Sequence, residues 1–413
     1  MDPLSVRSDD EDYEFLRRVR LRRREPNPDT MTFLERLQEG ICQRRPPQVP
    51  LNNEAIRSMR PNLTEAELAD LSRYFAEVAS SIRPPTQFEG SHHQKVQLCA
   101  AEIDEAVARL GRWPNADNPP LFALMEYGHV NARTIRAPHT GDHIVLVDTE
   151  LMQFLFQFSK AVALAIPTGP PAPNGILCYA TNIDDVRAHL QSTREPSRRF
   201  ASVVFHYATT GRASSAESYR VPPATERLYG IIMQSAQTFA LAHEYAHVLD
   251  GHLRDGRRDV TGVDGERVSL SRWAMGLEMK ADRIGLDLTA DIMGKAGYDI
   301  NFTYWGVELF LCANEIALKA ISLLRTGDEH GLQDAEKHQV ALFHARRTAL
   351  DFLFHTDLEK KVGKAASDRA WSQIEKGLHA VRDIMDLLWE EDVAPFLKVA
   401  HADGVRPAAV WES

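Results

Sequence analysis

Residues 239–249 run Phe-Ala-Leu-Ala-His-Glu-Tyr-Ala-His-Val-Leu, inside a helical pattern that extends over 226–253. Ile231, Ile232, Phe239, Ala242, Val248 and Leu249 supply its apolar positions. Residues four apart share one helix face, so His243 and His247 can turn imidazole nitrogens toward one metal ion. Glu244 follows the first histidine and projects beside the place a water molecule would take. Zinc suits such a donor set, because it accepts neutral imidazole and carboxylate in a tetrahedral arrangement. It lowers the pKa of a bound water to about 7, and a neighbouring carboxylate can then take the proton. Two histidines can also fall at this spacing by accident, so the pattern draws weight from its surroundings.

Two residues compete for the third ligand position. His252 is one, but the extended three-histidine pattern needs Gly at 250 and His at 253, where this chain has Asp250 and Leu253. The other is Glu278, in Glu278-Met279-Lys280-Ala281-Asp282 on the next helical pattern, 272–295. Glu278 and Asp282 again share a face. Glu278 can bind the metal while Asp282 accepts a hydrogen bond from a ligand histidine and fixes its tautomer. A solvated acidic face is the simpler account of this pair alone; beside the first motif the ligand role is favoured.

His243-Glu244-x-x-His247, followed some thirty residues later by Glu278-x-x-Ala281-Asp282-Arg283, resembles the gluzincin metallopeptidases. The likeness is strongest to the branch of CAAX-processing and heat-shock membrane proteases. Asn131-Ala132, Ile144-Val145-Leu146-Val147 and Thr149-Glu150-Leu151 are similar to the two strands and helix start that precede the zinc helix there. Ala242 and His252 also match. A looser likeness is to phage-exclusion peptidases such as Lit. The resemblance spans roughly residues 125–290. It implies a zinc metalloendopeptidase that cuts a protein or peptide substrate. His243, His247 and Glu278 would hold one Zn2+, Glu244 would act as general base, and Asp282 would orient a ligand. This chain departs from the branch in lacking transmembrane segments and in a longer stretch before the zinc helix. The later His-Pro element is met only by His344-Ala345, followed by Arg346 and Arg347.

Ile144–Val147 is β-branched and bounded by Gly141-Asp142 and Asp148-Thr149, which predicts a strand. Residues 129–135 would be its antiparallel neighbour and 200–208 a third strand. A helix is expected over 149–165, then a Pro/Gly-rich loop over 167–175. Further helices are expected over 64–82, opened by the capping-box pair Thr64 and Glu67, over 92–111, 301–325, and from 333 onward. His206 and Tyr207 on the third strand, Tyr219 and Tyr304 are candidate oxyanion stabilisers, although a core or rim aromatic is the simpler account of each. His92 and His93 read as a surface pair.

The fold class is therefore α+β: a zincin-like core, with a small antiparallel sheet over a metal-binding helix pair, within a mostly helical protein. The division is a charged, largely helical region 1–90, a metallopeptidase domain 91–300 and a helical region 301–413. The 413 residues are 44% hydrophobic and 26% charged, which excludes a fibrous or wholly disordered chain. A net charge of −10 speaks against a nucleic-acid partner, and the arginines at 17–24 lie beside an acidic run at 9–14. Residues 151–166 and 306–324 are apolar but interrupted by Lys160 and by Glu308, Asn314, Glu315 and Lys319, so they read as buried helices rather than membrane spans. Four dispersed cysteines and no secretory signal make the cytoplasm the expected location. The alternative function is a non-catalytic metal-binding regulatory or interaction protein.

Overall fold

The computed structural model describes residues 26–44, 53, 64–112, 119–128, 131–169, 179–180, 182–251, 258–261, 267–270, 275–329 and 331–408. The charged run at 9–24, His252 and most of the loop expected over 167–175 lie outside them.

The β-branched run forms His143–Asp148 (β3), and Ile144 to Val147 are all buried. A strand covered on both faces needs such an unbroken apolar sequence. Ala132–Arg136 (β2) lies antiparallel to it, with Thr134 opposite Val145. The expected antiparallel sheet is in fact mixed. Leu121–Met125 (β1) joins the far side of β3 in parallel. Two reversals, into β2 and out of it, return the chain to the direction of β1. Arg258–Thr261 (β4) and Arg267–Leu270 (β5) extend the sheet through Ile135 opposite Leu270 and Arg136 opposite Ser269, giving the order β1-β3-β2-β5-β4.

The outer edge of β1 is closed by side chains rather than by a strand. The Phe122 carbonyl accepts from Gln97 at 2.9 Å and Arg83 at 3.2 Å. The Leu124 N–H donates to Glu89 at 3.0 Å, and its carbonyl accepts from Gln38 at 2.8 Å. Unpaired edge groups invite another chain, and these four contacts occupy them. His93 belongs to this network: it is buried, 2.7 Å from the Arg83 carbonyl and 3.2 Å from Glu89. It is not the surface residue expected from sequence.

Helices cover both faces of the sheet. Pro28–Glu39 (α1) sits on one side, where Leu34 packs with Phe88, Ala123, Met125, Ile135, Ile144 and Leu146. Glu65–Ser81 (α2) begins with the predicted capping box, Thr64 and Glu67 exchanging hydrogen bonds. His93–Arg109 (α3), Thr149–Ala165 (α4) and Ile183–Ser192 (α5) follow. The Asp148 carboxylate caps α4 by accepting from the Glu150 N–H.

The third strand expected over 200–208 is instead helix Glu195–Thr210 (α6). Its buried positions, Phe200, Val203, Val204, Tyr207 and Ala208, repeat at helical spacing, and the packing outweighs the β preference of the Val-Val pair. Gly211 ends it at φ 69°, a conformation that suits glycine.

Pro223–Leu249 (α7) is the central helix, buried almost throughout from Ser235 to Val248. Against it lie Met275–Lys295 (α8) and Ile300–Thr326 (α9). The carboxylates inside α9 are paired, Glu308 with Arg382 at 2.8 Å and Glu315 with Lys319 at 2.6 Å. Among the described residues no helix is long and apolar enough to cross a membrane. Asp334–Val362 (α10), Lys364–Leu388 (α11) and Ala394–Ala402 (α12) complete the chain, and one core runs from Val96 in α3 to Ala400 in α12.

Gly285 sets the spacing of α7 and α8. A Cβ there would stand 3.0 Å from the His243 nitrogen and 3.1 Å from its Cα, both rigid backbone atoms. Gly285→Ala should therefore destabilise the fold by about 1–3 kcal/mol through overpacking. Gly230→Ala, in α7 with nothing within 4 Å, should stabilise it by about 0.5–1 kcal/mol. Thermal melts of both variants check the opposite signs; equal shifts would contradict the close approach.

Candidate metal centre

The close contact of α7 with α8 brings His243, His247 and Glu278 together inside the protein. The two Nε2 atoms are 3.3 Å apart. Glu278 Oε2 lies 3.2 Å from His243 Nε2, and Oε1 lies 3.5 Å from His247 Nε2. A tetrahedral ion with bonds of about 2.0–2.1 Å holds its ligand atoms about 3.3–3.4 Å apart, from the edge length of a tetrahedron. The two imidazole nitrogens fit that figure, and each faces a different oxygen of the Glu278 carboxylate at a similar distance. Two imidazole nitrogens and a carboxylate facing one point also need a positive charge between them, and either a proton or a metal ion can supply it. This buried group can hold a metal ion.

Asp282, one turn beyond Glu278, places Oδ1 2.9 Å from His243 Nδ1. An ionised carboxylate only accepts, so Nδ1 donates and the lone pair at Nε2 stays free for a cation. Arg346, from α10, binds Asp282 with both arms of its guanidinium, Nε to Oδ2 and an Nη to Oδ1, each at 2.6 Å. The same Nη lies 3.5 Å from His243 Nδ1, which is a contact between two donors and not a hydrogen bond.

Glu244 does not join the three donors. The Thr134 hydroxyl on β2 lies 2.8 Å from its carboxylate Oε2 and 2.9 Å from its carbonyl. The sheet thereby fixes the side chain next to the donor group. Burial raises the Glu244 carboxyl to about 7 against the favourable charge of His243 and the Thr134 hydrogen bond. Burial also opposes ionisation of Glu278, but the His243 hydrogen bond together with the charges of His243, Arg346 and His247 outweighs it and holds this carboxyl down at about 2. For Asp282 the same penalty is overcome by the Arg346 charge and hydrogen bonds together with those of His243, and the group stays well below the carboxylate range. Burial disfavours a charged His243, yet the bonds from Asp282 and Glu278 push it up to about 9.

The ligand residues and Glu244 named from sequence thus converge, with Asp282 behind them. Tyr304, Tyr219 and His206 do not. Tyr304 packs on Phe354 at 4.6 Å between α9 and α10. Tyr219 lies under Lys160 and Arg199. His206 is on α6 and lines a groove with Arg198, Phe205 and Phe396. Among the described residues none of the three makes a hydrogen bond or ring contact with the donor group. Thr134 and Arg346 are the site residues that sequence reasoning did not assign. Arg346 stood beside the His344-Ala345 match, whereas Thr134 carried no signal.

Comparison with protein-family models, curated proteins and solved structures returns no match for this chain.

Metal uptake should release a proton. A protonated His243 cannot ligate, so below pH about 9 an entering ion must displace its proton, and affinity should rise with pH. Between pH 7 and 8 the gain should be about tenfold for one proton. Titration calorimetry in buffers of different ionisation enthalpy reads the count directly; a count of zero would contradict the arrangement.

Proposed function

We propose that the protein is a zinc-dependent peptidase with a zincin-like core, acting on a protein or peptide chain. The observation that carries this reading is the buried group of two imidazoles and a carboxylate that can hold a metal ion, with an additional buried carboxylate, Glu244, held beside it by the sheet. Three protein ligands leave a fourth position for water or substrate, whereas a structural zinc site is closed by four side chains. When bound, zinc would acidify a water molecule and polarise the attacked carbonyl.

The chain's own groups divide the remaining work. His243, His247 and Glu278 bind the ion, and Asp282 holds His243 in the ligating tautomer. Glu244 takes the proton from water and returns it to the leaving amine. A carboxyl raised to about 7 suits both directions of transfer near neutral pH. The Thr134 hydrogen bond keeps that carboxylate from turning away.

The substrate would add to the sheet as an extended strand. β3 is paired on both sides and β1 is closed by side chains, whereas β2 meets β5 only at Ile135 and Arg136. Residues 132–134 have no second strand among the described residues, and Thr134 places this stretch directly over Glu244. Main-chain groups at a free edge bind a peptide without demanding a particular sequence, and adjacent side chains set preference. Cys99 and Cys312 are buried cysteines outside any disulfide, in keeping with work in a reducing compartment such as the cytoplasm.

Glu244→Gln separates this reading from a non-catalytic metal-binding protein. The amide keeps size and hydrogen bonding but cannot take a proton, so zinc content should be unchanged while turnover falls about 10²–10⁴-fold. Proteome-wide mapping of new N-termini in cells expressing each form gives the readout. Cleavages present with the intact protein and absent with Glu244→Gln support the enzyme. Identical termini from both forms, with zinc retained, would contradict it.

A further inference from the structure

We propose that Arg346 is a positioning residue of the metal centre, through which the C-terminal helical layer sets the orientation of His243. The inference rests on the metal-binding reading and adds a part to it that lies 64 residues beyond Asp282.

Asp282 can fix His243 only if its own plane is fixed. A lone carboxylate turns freely about its Cβ–Cγ bond, and a single acceptor contact does not stop it. The guanidinium is a rigid planar fork, and it engages Oδ1 and Oδ2 together at 2.6 Å. That leaves Oδ1 aimed at His243 Nδ1, 2.9 Å away. All three partners are buried, so no solvent competes for these bonds. Arg346 carries only donors, which keeps Asp282 an acceptor and His243 Nδ1 a donor. The order Arg346, Asp282, His243 thus directs one Nε2 lone pair into the donor triad.

The helix that carries Arg346 is located by other contacts. Arg283 of α8 reaches the Leu353 carbonyl at 3.3 Å and pairs with Asp357. Arg347, the next residue, turns to α9 and pairs with Glu315. Adjacent arginines of α10 therefore bind carboxylates on two different helices. Arg347 is also largely buried in an arginine–carboxylate pair, yet among the described residues it makes no hydrogen bond or ion pair with His243, Glu278 or Asp282. It is the natural control for a purely structural effect.

The test measures zinc affinity by chelator competition and the visible spectrum of the Co2+-loaded protein, whose bands report ligand geometry. The proteins are the full chain and its variants Arg346→Lys, Arg346→Met, Arg347→Met, Asp282→Asn and the double variant Asp282→Asn/Arg346→Met. Arg346→Met should weaken zinc about 10–100-fold, the range for loss of a residue that orients a metal ligand, and should shift the Co2+ bands. Arg346→Lys, with the charge but not the fork, should fall between. Arg347→Met should lower the melting temperature and leave affinity and spectrum as in the parent. Arg346 Nη1 also stands 3.8 Å from Glu278 Oε2, a longer contact than the paired bonds to Asp282, so in the double variant removing Arg346 should cost far less than it does in the parent.

The double variant also removes both buried charges together, so it remains informative if Arg346→Met alone fails to fold. The proposal is overturned if Arg346→Met binds zinc as the parent does. It is overturned equally if Arg347→Met weakens zinc to the same extent, or if the losses multiply in the double variant. A parent protein that takes up neither Zn2+ nor Co2+ would overturn the metal-binding reading itself and this proposal with it, an outcome distinct from the others.

Discussion

The site depends on the close approach of α7 and α8, where Gly285 lies against the backbone of His243. Side chains as short as histidine and glutamate reach a common point only if their helices are this near. The contact explains why a helix rich in apolar residues tolerates a glycine in its middle: the missing Cβ is the space that the next helix occupies. Small residues along α7, among them Ser235, Ala236, Ala240, Ala242 and Ala246, serve the same end by keeping its surface low. Gly306 of α9 is pressed on Ser235 and Ala236 in the same way, so α7 is gripped on two sides.

Such packing leaves charged groups in a place where isolated charge is costly. Glu244, Glu278, Asp282 and Arg346 are all buried, and each has a defined partner. Breaking a buried pair by removing one partner typically costs about 3–5 kcal/mol, because the other charge is left uncompensated. A folded core would not retain this much ionic chemistry for stability, since apolar replacements of similar volume often serve as well or better. These groups are concentrated at the contact of two helices and the open part of β2, around the three residues that can hold a metal ion.

How far the sequence disclosed this arrangement depends on the range of each interaction. His243 with His247, and Glu278 with Asp282, were legible because a helix places residues four apart on one face, and Glu244 because it directly follows the first histidine, both purely local rules. Strand β3 was legible because Ile144-Val145-Leu146-Val147 combines β-branching with flanking turn residues. The 200–208 segment misled because Val203-Val204-Phe205 has the local character of a strand. Its helical period emerges only in which of its residues become buried. Strand β1, Leu-Phe-Ala-Leu-Met, has no β-branched residue and follows two prolines, so nothing local marks it. Thr134 and Arg346 reach the site across 110 and 64 residues of sequence, and their roles exist only in the packed fold. His93 escaped although its partners Arg83 and Glu89 are near in sequence, because they enclose it only where they close the edge of β1.

X-ray diffraction at the zinc absorption edge, on crystals of protein purified without added metal, tests the central claim most directly. The account predicts one anomalous peak per chain, at about 2.0–2.2 Å from His243 Nε2, His247 Nε2 and a carboxylate oxygen of Glu278. No peak between these three residues, even after the crystals are soaked in zinc, would contradict it.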